Sequence, residues 1–451
     1  MKMKKIFVIF FSAVFILVGF NLFAGKEDKE APPAEEKVYK LGEIPTEPVT
    51  INCWQIAGGA VPWMSEFIKI YEEDHPNVTF NMTVQSDEFM ETSVISTFAT
   101  RPDDLDFTFF WTGSRMAALA KDKTALNLDD WYNYYEWDKV LTPIEYEVNN
   151  FDGFGQSALS FGWIAYGVIF YNKEIFKKVG VTPPETMDEW WGMCEKIKNS
   201  GYEVMAVAGK GGWPIELLHQ GLVKLYLPLD EAKTYCEWLK IPNKTANDAE
   251  VYRSEGAIKS WQFIADMAKK GYFSPGHNSL EWVDENERFA SGKAAMMAGF
   301  VSHTFVDARA QDPNFPLDYF VLPGTSLCVE PMNVFTVPAS IAEIKKPIVA
   351  DFFNRWITDK DSLRLAIEHG NNPTGTVLSK EEIIELSGEP LLGRFYEDKE
   401  EYPVLLCADG WISLPMCEEY FNDLQEVTEG TITPEEAGQR MYELALENLE
   451  E

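Results

Sequence analysis

The segment FGWIAYGVIFYNKEIFKKVGVTPPETMDEWW, from Phe161 to Trp191, constrains the fold of this chain more than any other stretch. Its apolar run from Gly162 to Tyr171 is rich in Ile, Val and aromatic residues, which predicts one buried strand. After a charged amphipathic turn, Pro183-Pro184 breaks the chain, and Thr186 has the position of a helix N-cap with Glu189 as its capping-box partner. The segment therefore predicts a strand, a helix, a Pro-rich turn and a second helix.

Three further strands alternate with helices before this segment. Val49 to Cys53 places alternate residues on one apolar face, Val78 to Val84 has a strand pattern, and Leu105 to Phe110 has the pattern of a buried strand. The helix between the last two strands has Ser86 at its N-cap position. This alternation with short connections predicts an α/β fold with a largely parallel sheet.

Two of these strands end in tryptophan. Trp54 and Trp111 are each followed by a Gly-containing loop, QIAGG and TGS. A tryptophan is large and costly to expose, so each ring either covers its own core or faces a ligand. Ligands bind outside the carboxyl ends of parallel strands, and two tryptophans at equivalent positions favour a shared cleft. Trp213 lies on the Gly-rich loop AGKGGWP, which suits the same role in a second domain.

The N-terminus has the pattern of a cleaved export signal. Residues 1–24 combine a basic start with an unbroken apolar stretch, and the small residues Ala24-Gly25 predict cleavage near Ala24. A membrane anchor is the alternative, because Ile6 to Ala24 is nearly long enough to span a bilayer. Residues 25–47 are charged and Pro-bearing, which predicts a flexible leader. We expect an exported, periplasmic protein.

Charge and cysteine spacing exclude several functions. Loss of Lys2, Lys4 and Lys5 with the signal changes the formal net charge from −33 to −36, and such a surface repels nucleic acid and anionic lipid. The six cysteines form no CxxC pair and have no neighbouring histidine, so we expect no metal, no cofactor and no redox centre. In an exported chain some cysteines can oxidise, Cys407 and Cys417 being closest in sequence, or all can be buried small hydrophobes.

Four blocks of the sequence resemble the extracellular solute-binding proteins (family 1) of ATP-driven sugar importers, the group that includes maltose-binding protein. They are YNKEIFKKVGVTPPETMDEW from Tyr171, ENERFASGKAAMMAGFVSH from Glu285, VADFFNRWITDKDSLRLAIEHGNNPTG from Val349 and EVTEGTITPEEAGQRM from Glu426. Their order along residues 48–450 is that of the family, and four ordered blocks are far more specific than one. The chain is identified as a member of this family.

The resemblance implies two α/β lobes, each a mainly parallel sheet flanked by helices, which agrees with a length of 451 residues. The expected first lobe comprises residues 48–150 and 330–378, and the expected second lobe comprises residues 151–329 and 379–451. The chain is expected to cross between the lobes near Glu145 to Asp152, Val329 to Val337 and Thr376 to Glu382.

The resemblance also implies a ligand site in the cleft between the lobes. In the family, loops after the first-lobe strands touch the sugar, and residues after the AAMM strand line the cleft. Arg115 either bonds a sugar hydroxyl or pairs with the acidic surface, whereas Tyr420 and Trp261 have helical spacings that favour core packing. The residues expected to bind the ligand are Trp54, Gln55, Trp111, Thr112, Arg115, Trp163, Trp213, Phe300, Glu330 and Trp411.

These features predict a monomeric binding protein, not an enzyme, that delivers a mono- or oligosaccharide to the membrane permease subunits of an ABC transporter. Sugars have apolar faces that stack on aromatic rings, and the chain has 14 Trp, 18 Tyr and 30 Phe. An exported glycoside hydrolase is the alternative, but Asp106, Glu330 and Asp409 lie in no recognisable catalytic motif. A receptor of the same fold for a non-sugar solute is the third possibility.

Overall fold

The computed structural model describes residues 39–58, 60–151 and 153–449 of the chain. The expected signal peptide and the expected leader as far as residue 38 lie outside these ranges. The remaining part of the expected leader packs on the folded chain, because Leu41 and Ile44 contact a hydrophobic core. Within the described ranges, no helix combines the length and the apolar composition that crossing a membrane requires.

Two main sheets and a small hairpin organise the described residues. The strands are β1 (Val49–Ile56), β2 (Val78–Gln85), β3 (Phe107–Trp111), β4 (Asn150–Phe151), β5 (Gly155–Gln156), β6 (Ala158–Tyr166), β7 (Val168–Asn172), β8 (Glu203–Ala206), β9 (Ala294–Ala298), β10 (Leu317–Val321), β11 (Leu327–Thr336), β12 (Asn372–Pro373) and β13 (Val404–Leu405). The larger sheet has the order β12-β6-β11-β3-β1-β2 with β13 beside β11, and the smaller has the order β10-β7-β9-β8. The three strands predicted near the N-terminus are confirmed as β1, β2 and β3.

Strand directions in both sheets are mixed. β1 is parallel to β2 and β3, as predicted, and β8 is parallel to β9. β11 is antiparallel to β3 and β6, and β7 is antiparallel to β9 and β10. The pairs β6-β7 and β10-β11 each pass from one sheet to the other through a short connection. β11 also pairs with the short strand β13, in parallel.

The single strand predicted from Gly162 to Tyr171 is wrong, because Gly167 divides this run between the two sheets. Gly167 has a φ of +96°, where residues with a side chain are strained. A Cβ at this position would lie 2.6 Å from the carbonyl oxygen of Ser326. β6 therefore ends in the larger sheet at Tyr166, and β7 begins in the smaller sheet at Val168. The apolar pattern does not reveal the division, since both halves are buried.

Helices cover both sheets. In the first half of the chain they are α1 (Ala60–Asp74), α2 (Asp87–Thr100), α3 (Ser114–Lys121), α4 (Asp129–Tyr135), α5 (Pro143–Glu147), α6 (Lys173–Val179), α7 (Met187–Asn199), α8 (Trp213–Tyr226), α9 (Leu229–Cys236) and α10 (Ala246–Ala249). In the second half they are α11 (Glu255–Lys269), α12 (Trp282–Ala290), α13 (His303–Gln311), α14 (Lys346–Thr358), α15 (Lys360–Glu368), α16 (Lys380–Ser387), α17 (Pro390–Glu401), α18 (Ala408–Trp411), α19 (Leu414–Glu429) and α20 (Pro434–Glu447). The predicted N-cap of α7 is confirmed, because the hydroxyl of Thr186 accepts the backbone N–H of Glu189.

The two largest hydrophobic cores of the described residues divide these elements into two lobes. The first lobe is built around the buried faces of β1, β3, α1 and α14. The second lobe is built around those of α7, α8, α11 and α19. Trp261 and Tyr420 are fully buried in the second core, which confirms their predicted core packing. Trp111 packs against both cores, so it marks the place where the lobes meet.

Alanine at Gly167 is expected to lower the free energy of unfolding by more than alanine at Gly180. Both glycines have positive φ, +96° and +74°, so each substitution costs about 1 kcal/mol from the backbone alone. At Gly167 the new Cβ also meets the backbone of Ser326 at 2.6 Å, whereas at Gly180 nothing lies within 4 Å. Urea denaturation of both variants measures the difference. Equal losses would contradict the close approach of backbone at Gly167.

Candidate ligand-binding cleft

The carboxyl ends of β1, β2 and β3 bring residues of the first lobe to one edge of the larger sheet. Because the three strands are parallel, Trp54, Trp111 and the residues that follow β2 share this edge. Trp54 packs edge-on against Phe89 of α2, with ring centroids 5.2 Å apart. Trp111 ends β3, and Arg115 follows it in the first turn of α3. The first lobe thus presents two partly exposed indole rings.

An aromatic cluster of Trp213, Trp282 and Phe300 belongs to the second lobe. Trp213 begins α8, Trp282 begins α12 and Phe300 follows β9. The ring centroid of Trp213 lies 5.3 Å from that of Trp282 and 5.9 Å from that of Phe300. All three rings are partly exposed. Gly212 permits the preceding turn, since its φ is +76° and a Cβ there would lie 2.5 Å from the Cβ of Phe421.

The two lobes touch at Asp87 and at Gly113. The indole of Trp213 lies beside the carboxylate of Asp87, which begins α2. Gly113 follows β3, and a Cβ at this position would lie 1.9 Å from the carbonyl oxygen of Gly410 in α18. The backbones approach so closely at this second contact that a side chain on Gly113 would not fit. The residues after β2 and β3 therefore face α8 and α18 of the second lobe.

Arg115 is buried between the lobes and is neutralised from both of them. The side chain is 5% exposed, and Nη2 lies 2.6 Å from Oε1 of Glu91 in α2. Nη1 lies 3.7 Å from Oδ2 of Asp409 in α18 and donates to the carbonyl oxygen of Asp409 at 3.4 Å. The guanidinium carbon is 5.2 Å from the ring centroid of Trp111. The pair Arg115–Asp409 thus joins the first lobe to the second beside Trp111.

Three carboxyl groups lie close together behind this guanidinium: Glu216 of α8, Glu330 of β11 and Asp409. Glu216 accepts the backbone N–H of Asp409 at 3.1 Å, and Glu330 accepts the indole N–H of Trp411 at 2.9 Å. Burial raises the pKa of Glu330 to about 8 and the pKa of Glu216 well above its ordinary value. Both shifts favour the protonated, neutral form, which reduces the buried negative charge near the guanidinium.

Part of this group has metal-ligand spacing. Donor atoms of Glu216, Cys407 and Asp409 lie within 4.8 Å of one another. A thiol must lose its proton to bind a metal, and burial raises the pKa of the Cys407 thiol well above its ordinary value. Asp409 already faces Arg115. The side chains of Glu216 and Cys407 therefore favour their protonated forms over binding a metal ion.

Of the predicted site residues, Trp111 and Arg115 contact both lobes, and Trp213 and Phe300 pack together in the second lobe. Trp54 packs on Phe89 within the first lobe. The structure turns other predicted site residues towards the interior. The amide of Gln55 donates to Sδ of Met64 at 3.2 Å, and the hydroxyl of Thr112 donates to the carbonyl oxygen of Val148 at 2.7 Å. Glu330 and Trp411 are buried and bond to each other.

Trp163 is held by Glu145, which is absent from the sequence prediction of the site. The carboxylate of Glu145 is fully buried and accepts the backbone N–H groups of Thr142 at 2.6 Å and Gly375 at 2.9 Å. It also accepts the indole N–H of Trp163. Glu145 thereby joins α5, β6 and the segment that follows β12. A capping box at Thr142 predicts the first contact, whereas the other two arise from tertiary packing.

Sequence reasoning also missed Asp87, Phe89 and Trp282. Asp87 and Phe89 follow the carboxyl end of β2, so the rule that selected Trp54 and Trp111 applies to them equally. Trp282 begins a helix and has no glycine-rich loop or strand end beside it. Its place in the aromatic cluster depends on how α8, α12 and β9 pack together, which no local pattern encodes.

Glutamine at Glu330 is expected to flatten the pH dependence of stability. The pKa of Glu330 rises from its ordinary 4.5 to about 8 on folding. Between these values unfolding releases a proton, so the free energy of unfolding falls as pH rises. The contribution approaches about 1.4 kcal/mol per pH unit. E330Q cannot ionise, so denaturation at several pH values should show a shallower slope than in the wild type.

Glu343→Gln is the matched control for this slope. The carboxylate of Glu343 is 65% exposed, so its loss should leave the wild-type slope unchanged. Equal slopes for the wild type and E330Q between about pH 5 and pH 8 would contradict a protonated Glu330 in the folded protein.

Comparison with solved structures shows the fold. A chitin oligosaccharide binding protein matches with a TM-score of 0.75 and 18% sequence identity, and the match covers 88% of this chain and 98% of that chain. At this sequence identity the structural match shows the shared fold and does not identify the ligand. The match spans almost the whole of the other protein, so both lobes belong to the shared fold.

Sequence relatives differ in the solutes for which they are named. The multiple sugar-binding protein of Streptococcus mutans is 26% identical over 294 residues, which cover 63% of this chain and 64% of that protein. The sn-glycerol-3-phosphate-binding periplasmic protein of Brucella melitensis is 25% identical over 219 residues, which cover 46% of each. The alignments thus span less than two thirds of either relative.

The sequence pattern of one family extends across most of the chain. The pattern of bacterial extracellular solute-binding proteins matches residues 66–381, a range that contains Asp87, Trp111, Arg115 and Trp213. The range exceeds half of the chain and includes strands of both main sheets. The protein therefore belongs to the family of bacterial extracellular solute-binding proteins.

Proposed function

We propose that this protein captures a mono- or oligosaccharide between its lobes as the substrate-binding component of an ABC transporter. The observation that carries the proposal is that both lobes present partly exposed indole rings: Trp111 lies beside the interlobe pair Arg115–Asp409, and Trp213 lies in the second-lobe aromatic cluster. The apolar face of a sugar ring stacks on aromatic rings, and its hydroxyls bond to polar groups such as a carboxylate. Partly exposed indoles on both lobes suit the first need, and Asp87 suits the second.

The relatives and structural neighbours support a saccharide as the ligand, and one relative suggests a different solute. A relative named for multiple sugars and a structural neighbour named for chitin oligosaccharides agree with the aromatic cleft. The relative named for sn-glycerol 3-phosphate makes a phosphate ester the second candidate. A phosphate ester needs a cation or backbone N–H groups at its binding site, and the guanidinium of Arg115 is already engaged by two acidic residues.

Closure of the lobes is the signal to the transporter in this proposal. The contacts Arg115–Asp409 and Asp87–Trp213 each join one lobe to the other, so they require the lobes to be close. A ligand that touches aromatic rings of both lobes binds the closed arrangement more tightly than an open one, and so shifts the population towards it. The closed, loaded shape is then what the membrane permease subunits recognise.

The proposal places the protein in the periplasm as a monomer. The family is extracellular, and the N-terminal sequence has the pattern of a signal cleaved near Ala24. Stacking and hydrogen bonding to a sugar require neither a cofactor nor a metal.

We also propose that binding occurs without turnover. A hydrolase needs two carboxyl groups free to face the scissile bond. Asp106 lies at the amino end of β3, pairs with Lys345 at 2.8 Å and accepts the backbone N–H of Asn52 at 2.7 Å. Glu330 is buried and accepts the indole N–H of Trp411, and Asp409 is buried and pairs with Arg115. Because of these contacts, no two of Asp106, Glu330 and Asp409 are arranged as a general acid and a nucleophile.

Alanine at Trp111 or Trp213 is expected to weaken saccharide binding by about 1–3 kcal/mol for each lost stack, by analogy with bases that stack on aromatic side chains. Both rings are partly exposed, so folding should stay cooperative. Isothermal titration measures the loss. Tyr134→Ala removes a ring that is 54% exposed on α4 and is the control, expected to bind like the wild type. Undiminished binding by both tryptophan variants would contradict the assignment of the cleft.

A thermal-shift screen of mono- and oligosaccharides, with sn-glycerol 3-phosphate included, tests the function as a whole. A ligand at about 100 times its Kd stabilises the folded state by about 2.7 kcal/mol, which the screen detects. If only sn-glycerol 3-phosphate raised the melting temperature and no saccharide did, the ligand would be a phosphate ester and not a sugar. A bound oligosaccharide should be recovered intact. Release of shorter sugars that stops on mutation of Asp106, Glu330 or Asp409 to alanine would establish the hydrolase instead.

A further inference from the structure

Carboxylates outnumber cations where the two lobes meet. Glu91 of α2 and Asp409 of α18 both pair with the guanidinium of Arg115, which lies against the ring of Trp111. Asp87 lies one helical turn before Glu91 on the same face of α2, is partly exposed and lies beside the indole of Trp213. The excess negative charge therefore lies beside one tryptophan of each lobe.

Nearby lysines do not cancel this charge. Lys210 lies in the loop before α8 and pairs with Glu281, and Lys240 pairs with Glu147 at 2.8 Å. Each lysine is thus balanced by a carboxylate of its own. The favoured protonated forms of Glu216 and Glu330 add no negative charge. Three carboxylates against one guanidinium remain, and a second anion brought to this place is repelled strongly because partly buried charges are poorly screened.

We propose that the cleft admits neutral and amino-bearing saccharides and rejects uronic-acid and phosphorylated ones, and that Asp87 sets this difference. The inference rests on the proposed carbohydrate function. Glu91 and Asp409 are both engaged with Arg115. Asp87 is partly exposed beside the neutral indole of Trp213, so its charge acts directly on a ligand stacked on that ring.

The charge preference is tested with probes that share a skeleton and differ in charge. An array carries neutral, amino-bearing and uronic-acid forms of the same α- and β-linked disaccharides, and sn-glycerol 3-phosphate is titrated separately. The uronic-acid form of each bound skeleton is expected to bind at least about tenfold more weakly than the neutral form. A uronic acid or phosphate ester that binds as tightly as its neutral counterpart overturns this inference alone. Failure of every probe to bind overturns the proposed function, and this inference with it.

The role of Asp87 is tested with D87N, which keeps the size of the side chain and removes the charge. The ratio of neutral to uronic-acid affinity is expected to fall by at least about threefold. D361N makes the same change of net charge on α15, where the carboxylate is 72% exposed, and should keep the wild-type ratio. D87E keeps the charge and should keep most of the ratio. An unchanged ratio in a folded D87N protein overturns the assignment to Asp87.

The wild-type protein offers the same test without a mutation. Burial first, and then Glu91, raise the pKa of Asp87 to about 6, while Arg115 lowers it and Asp409 raises it further. Asp87 is thus mainly ionised at about pH 7 and mainly protonated at about pH 5, whereas a uronic acid stays ionised at both. The neutral to uronic-acid ratio should fall between these pH values. A constant ratio overturns the role of Asp87 even where D87N fails to fold.

Discussion

A buried guanidinium needs carboxylates close to it to neutralise its charge. At Arg115 this requirement determines how the lobes approach each other and which charges lie beside the cleft. One carboxylate comes from each lobe, Glu91 from the first and Asp409 from the second. Asp409 reaches Arg115 because α18 packs directly on the loop after β3, at a place where Gly113 leaves room for the carbonyl oxygen of Gly410. The protonated forms of Glu216 and Glu330 are favoured behind the pair. The interaction thus sets the approach of the lobes and the local charge together.

The connections between the sheets are constrained by equally specific contacts. Gly167 lets β6 in the larger sheet continue into β7 in the smaller one, because its conformation and its approach to Ser326 both exclude a side chain. Glu145 gathers α5, β6 and the segment after β12 on one buried carboxylate. Breaking such a carboxylate's hydrogen bonds leaves buried N–H groups without acceptors, at a cost of about 1–3 kcal/mol each. These contacts fix where β6 ends and how its neighbouring segments pack on it.

Local sequence patterns predicted what depends on local physics. The strands before Trp54 and Trp111, the cap at Thr186 and the core positions of Trp261 and Tyr420 follow from periodicity and capping rules. The ordered blocks predicted the fold. Local patterns could not predict the division at Gly167, the contacts of Glu145 or the inward orientation of the Gln55 side chain. Each of these depends on a backbone or side chain that is distant in sequence. Asp87 follows the carboxyl end of β2, so the strand-end rule that predicts Trp54 and Trp111 also covers this residue.

The proposed saccharide holds the two lobes together. The distance between a label on each lobe tests this most directly. Val84 lies near the end of β2 and is 45% exposed, and Val283 adjoins Trp282 and is 67% exposed. Spin labels on cysteines at these positions can be introduced selectively, since the native cysteines are buried. Double electron–electron resonance is predicted to show a shorter and narrower distance distribution when the saccharide with the largest thermal shift is added. An unchanged distribution at saturating saccharide would contradict the account.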